Sequence, residues 1–185
     1  MARKKYTKEI ILKAAYDLSK HVGLNDLSMR SIAKKIGCSV VPIYEEFDSK
    51  ENLVNELSTL VIQETIFDAD TLMGRFKNLF EYGMRYPKFL LSFGSYPNTI
   101  TNDPNVVKKV IDIMRTDTRL NNRSDDDVLA LNSRLEALLL GYIFNHQNDK
   151  FVQSHFIELY DAFKETLDFI IEGYNKVRPV ELQNI

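Results

Sequence analysis

The chain has 185 residues, 44% of them hydrophobic, which excludes a disordered polymer and allows one or two small domains with real cores. A single cysteine excludes an internal disulfide and any cysteine-based zinc cluster, and the longest apolar run, residues 137–144, is too short to span a bilayer. The net charge of −2 hides an asymmetry: residues 1–50 carry ten Lys and Arg against six Asp and Glu, and the remainder fourteen against twenty. A basic head on an acidic body is expected when only the head meets a nucleic acid.

Arg3, Lys4 and Lys5 form a short basic arm, read either as a solvated terminus or as a phosphate or minor-groove contact. The arm leads straight into a charged amphipathic segment, with no secretory pattern, so a cytoplasmic protein is expected. Thr7 is placed to cap a helix whose apolar stripe is Ile11, Ala14, Ala15, Leu18 and Val22, closed by Gly23. Leu27 and Ile32 can staple across a Ser28 N-cap. Ile32, Ala33 and Ile36 then give a short helix one apolar face, with Arg30, Lys34 and Lys35 toward solvent. Gly37 suits the left-handed position that ends it. Ser39 is placed to cap a second short helix, with Cys38 and Ile43 as its staple pair and Pro42 at the third helical position. Helix, glycine turn, helix is the pattern of a helix-turn-helix, whose second helix enters the major groove of DNA.

From Thr7 through Leu53 the chain resembles the N-terminal DNA-binding domain of the TetR family of bacterial transcriptional repressors. The residues that carry the resemblance are Ile32-Ala33, Ile36-Gly37, Ser39, Ile43-Tyr44, Phe47 and the run Ser49-Lys50-Glu51-x-Leu53. It implies an all-α fold, with a three-helix helix-turn-helix DNA-binding domain over residues 1–48 and a helical ligand-binding and dimerisation domain over 49–185. It also implies phosphate contacts from Ser28, Arg30, Tyr44 and Lys50, while Val40, Val41, Pro42 and Glu45 of the second helix are expected nearest the bases, with Ser39 also among the DNA-binding residues. Glu45 and Glu46 depart from the family pattern: carboxylates repel phosphates, although Glu can accept a hydrogen bond from cytosine N4.

Beyond the head every segment reads as helix. One helix runs from Ser49 to about Phe67, and in similar proteins it joins the head to the body. Another, Thr71 to Tyr86, places Leu72, Phe76, Leu79, Phe80 and Gly83 on one face. Pro87 opens a short helix with Phe89, Leu90 and Phe93, and residues 94–104 form a breaker-rich loop. Val107, Val110, Ile111 and Met114 mark the next helix, followed by a polar loop over 116–124. Asp125 to Asp127 place negative charge at the start of a helix that runs to about Asn148. That helix is apolar on several sides, so it must be buried on several faces. The last helix spans about Gln153 to Lys176.

Two sites in the body are expected. Phe76, Phe80, Met84, Phe89, Phe93, Met114, Leu138 and Tyr142 are candidates to line a pocket for a small, mostly hydrophobic effector. Leu135, Leu139, Phe156, Tyr160, Phe163, Leu167, Ile171 and Tyr174 are the expected dimer interface, an apolar stripe that a second copy would bury. His21, His146 and His155 lack metal-ligand spacing, and the chain holds neither a phosphate loop nor a nucleophile elbow. No cofactor, no metal and no enzymatic activity are therefore expected. Two other readings share the fold: a non-DNA-binding interaction protein, in which Glu45 and Glu46 mark a lost groove contact, and a small all-α enzyme using the apolar body.

Overall fold

The computed structural model describes residues 6–62, 68–93, 103–147 and 155–176. Among these residues the chain forms nine α-helices and no strand. They are α1 (Lys8–Val22), α2 (Met29–Ile36), α3 (Val41–Glu46), α4 (Lys50–Ile62), α5 (Leu72–Arg85), α6 (Pro87–Phe93), α7 (Pro104–Met114), α8 (Asp125–His146) and α9 (Phe156–Lys176). The expected all-α fold is what is found. A single 3-10 turn, Thr118–Leu120, interrupts the polar segment before α8. Arg3, Lys4, Lys5 and the loop centred on residues 94–102 lie outside the described residues.

Most helix ends follow the local chemistry of the chain. Ser28 caps α2 by accepting from Ser31 N–H at 3.1 Å, and Ser31 Oγ reciprocates on Ser28 N–H. Thr71, Asp103 and Ser124 cap α5, α7 and α8 with their side-chain oxygens. Gly37 ends α2 at φ 71°, ψ 40°, in the left-handed region. Two expected caps are corrected. Thr7 occupies the N-cap of α1 without bonding the backbone, and its hydroxyl serves Glu9, whose carboxyl is held below its usual value by that bond first. The N-cap of α3 is Val40, not Ser39, so Pro42 falls in the first turn, where its missing N–H leaves no intrahelical bond unmade.

Two hydrophobic cores result. The head core joins Ile11, Ala15, Leu24, Leu27, Ile32, Ile43 and Phe47 to Leu53, Val54, Leu57 and Val61 of α4 and to Phe89 of α6. It therefore crosses the expected division at residues 48 and 49. The body core joins Phe76, Phe80, Met114, Val128, Leu131, Leu135 and Ile143 to Phe163, Leu167 and Ile171.

This packing corrects the expected dimer stripe at five of its eight positions. Leu135, Leu139, Phe163, Leu167 and Ile171 are buried within the protomer. Phe156 and Tyr160 set their rings 5.5 Å from that of Phe80. Tyr174 donates to the Asp127 carbonyl at 3.0 Å and accepts Arg123 on its ring face and carbonyl. The stripe is apolar because α5 and α8 cover it. The large apolar side chains left in solvent by α8 and α9 are Phe144, Ile157 and Phe169, at 64%, 74% and 78% exposure.

Candidate nucleic-acid interface and its coupling to the body

Helix α3 is only six residues long, too short to persist alone, and the head core holds it in place. Ile43 and Phe47 are buried on its inner side. Its outer side presents Val41, Tyr44 and Glu45, all exposed, with Val40 and Pro42 half-buried beside them and Ser39 exposed just before them. Ser28 and Arg30 are exposed at the start of α2. The chain thus brings the described members of the expected DNA-facing set to the outside of α2 and α3.

Lys50 is the exception. Its ammonium donates to the Asn25 carbonyl at 2.9 Å and fastens α4 to the loop after α1. Lys34, one turn beyond Arg30 on α2, is exposed, and among the described residues neither has an ion-pair partner. Lys35 instead reaches Asp17 at 3.8 Å, and Lys8 pairs with Glu56. Lys34 is the cation that helical spacing from Arg30 could have singled out. Tyr6, two residues before α1, donates to the Gly37 carbonyl at 3.2 Å and ties the approach to α1 to the turn between α2 and α3. No sequence signal announces a contact over 31 residues.

The joint between head and body runs through α6 as well as α4. Leu24 N–H donates to Ser92 Oγ at 2.8 Å, and Ser92 donates onward to the Phe89 carbonyl at 2.7 Å. Gly23, at φ 80°, lets α6 come this close: a Cβ there would sit 2.9 Å from the Lys88 carbonyl oxygen. Phe89 packs edge-on to Tyr16 and Tyr82, whose hydroxyls meet at 3.2 Å, and Lys20 lies 3.7 Å over the Tyr16 ring.

These contacts divide the candidate pocket residues. Phe89 and Phe93 belong to the head core and are not with the others. Phe76, Phe80, Met84, Met114, Leu138 and Tyr142 do gather in the body. Phe80 stacks on Phe163 at 5.0 Å, and Tyr142 meets the same ring at 5.3 Å. An open groove of about 490 Å³ lies elsewhere, between α7 and the start of α8, lined by Val107, Ile111 and Arg115 among others. None of the eight candidates borders it. Among the described residues no group of His, Cys, Asp or Glu has the makings of a metal site, and no helix is long and apolar enough to cross a membrane.

Comparison with known proteins agrees with this geometry. Residues 11–57 match the family model described as bacterial regulatory proteins, tetR family. Among curated proteins, none matches the sequence. Similar solved structures include a glutamine-to-alanine variant of TetR from Acinetobacter baumannii AYE in complex with minocycline. It is 16% identical, covering 93% of this chain and 98% of that one, with a TM-score of 0.67. BioQ with its natural double-stranded DNA operator is 18% identical over 94% of this chain and 100% of that one, with a TM-score of 0.66. BioQ of Mycobacterium smegmatis gives the same TM-score over 92% and 98%, also at 18% identity. Residues 11–57 thus carry the sequence pattern of the tetR family model, and the chain as a whole shares the all-helical fold of the TetR and BioQ structures.

Proposed function

We propose that the chain is a transcriptional repressor that binds a palindromic operator as a homodimer and is released by a small, mostly hydrophobic effector. The observation that carries the proposal is α3 itself, held by buried Ile43 and Phe47 while Val41, Tyr44 and Glu45 face outward from a family-matched head. Val40 or Val41 suits a thymine methyl, and Glu45 suits cytosine N4. Ser28, Arg30 and Tyr44 hold phosphates and set register, assisted by the arm of Arg3, Lys4 and Lys5. The protein works in the cytoplasm, takes no cofactor and catalyses no reaction.

The second copy covers Phe144, Ile157 and Phe169, with the exposed small residues Ala130, Ala137 and Gly141 of α8 allowing close approach. The effector enters among Phe76, Phe80, Met84, Met114, Leu138 and Tyr142, and its binding shifts α4 and α6 against the head. Tenfold release of DNA requires about 1.4 kcal/mol of coupling between the two sites. Residues 49–185 act as the regulatory part, although α4 shares the head's core.

A second reading, an interaction protein that has lost DNA, is favoured by one observation: Glu45 is exposed on the helix that should meet phosphates. Selection from a random double-stranded pool, followed by binding at two salt concentrations, separates the two. A repressor enriches a palindrome and weakens steeply with salt, by about 0.9 log units per log unit of salt for each phosphate held. No enriched sequence and a flat salt response would leave the interaction protein.

A further inference from the structure

Arg75 interrupts the apolar face of α5, between Leu72 and Phe76, yet only 1% of it is exposed. An arginine stays charged in any surroundings, so a buried one needs every donor met. Two are met. Its Nη1 donates to Asn132 Oδ1 at 2.6 Å and its Nη2 to Glu136 Oε1 at 2.5 Å, both on α8. Asn132 Nδ2 donates to the same Glu136 oxygen at 3.2 Å and steadies it. The Nε–H is buried and has no acceptor.

A cross-link made only to tie α5 to α8 would not leave a charged donor orphaned in the core. What Arg75 lacks is an acceptor rather than a charge, because Glu136 already balances it. Glu136 is also 42% exposed, so the negative end of the pair stands in water. A second carboxylate on the same guanidinium would face the first, and like charges that close are repulsive. A neutral oxygen fits better. The flanking residues of both helices, Leu72, Phe76, Leu79, Leu131 and Leu135, all belong to the body core, so the rest of such a ligand is apolar.

We propose that Arg75 donates its Nε–H to a carbonyl-type oxygen on an otherwise apolar effector bound between α5 and α8. This rests on the effector reading above and names the polar group which that effector carries. The test uses the full chain with ¹⁵N-labelled arginine, in which the Arg75 Nε–H resonance is assigned by its loss in Arg75→Met. Three probes share one apolar body: methyl naphthoate, naphthoate and methylnaphthalene. The ester is expected to move the Arg75 resonance and to raise the melting temperature more than methylnaphthalene does. That excess should vanish in Arg75→Met, and in Arg75→Lys, which keeps the charge without the Nε–H, should the first variant not fold. Movement by naphthoate and not by the ester would overturn the proposal in favour of an anion. If the probes raise the melting temperature equally in wild type and variant and leave the resonance still, Arg75 is only structural while the effector reading stands. If none raises it, the effector reading falls and this inference falls with it.

Discussion

Helices α2 and α3 are eight and six residues long, whereas α8 and α9 run for 22 and 21. The short pair is fixed by a cap, a left-handed glycine and a few anchors within the same fifty residues, Leu27, Ile32, Ile43 and Phe47 among them. The long pair is fixed by partners far away in sequence: Phe163 against Phe76 and Phe80, Arg119 against Asp168, Arg123 against the Tyr174 carbonyl. A motif that must present one small face to a groove can be written locally. A body that must enclose a core cannot, because its faces acquire meaning only when opposed.

The sharpest break of this contrast is a charge placed on each side of α9. Phe163→Glu buries an uncompensated carboxylate and is expected to cost roughly 5 kcal/mol, unfolding the body as read by circular dichroism. Phe169→Glu, on the exposed side, should leave that spectrum intact and weaken self-association in sedimentation. If both variants stay folded and monomeric, the assignment of the two faces is wrong.

Next in size is the joint. Phe89→Ala is expected to cost about 3–5 kcal/mol, and Ser92→Ala about 1–3 kcal/mol because it strands the buried Leu24 N–H. Hydrogen exchange should speed up in α1 and the loop after it in both variants, although both residues lie in the body's sequence. Faster exchange confined to α5–α9 would mean that α6 does not support the head.

Within the head, Lys50 and Arg30 separate structure from binding. Lys50→Ala removes the bond to the Asn25 carbonyl and should cost about 1 kcal/mol of stability. Arg30→Ala should leave stability within about 0.5 kcal/mol but lower the salt slope of DNA binding by about one unit. The opposite pattern would make Lys50 the phosphate contact and Arg30 the strut.

The smallest effect concerns acid. The hydrogen bond from Arg119 holds the Asp117 carboxyl below its usual value, against the opposing effect of burial. Asp117 is thus deprotonated more readily folded than unfolded, so its contribution is complete above the ordinary carboxylate range and fades as pH falls through the depressed value. The gap in melting temperature between wild type and Asp117→Asn should therefore be widest near neutrality and narrow at about pH 3. A gap that widens on acidification would reverse the assignment.

By itself the sequence determined most elements: the nine helices of the described residues, the Ser28 cap, the Gly37 turn and the proline start of α6 follow from interactions within a turn or two, whereas α7 begins at Pro104, inside the expected loop. It also determined that α9 carries an apolar stripe. Tertiary structure alone decided what covers that stripe, since periodicity marks a face but not its neighbour, and the neighbours turned out to be α5 and α8 of the same chain. The same physics sent Phe89 and Ser92 to the head, bonded Lys50 to the Asn25 carbonyl and buried Arg75 beside Asn132. A buried charge and a stapled joint exist only between segments about sixty residues apart in the chain, where no local spacing reaches.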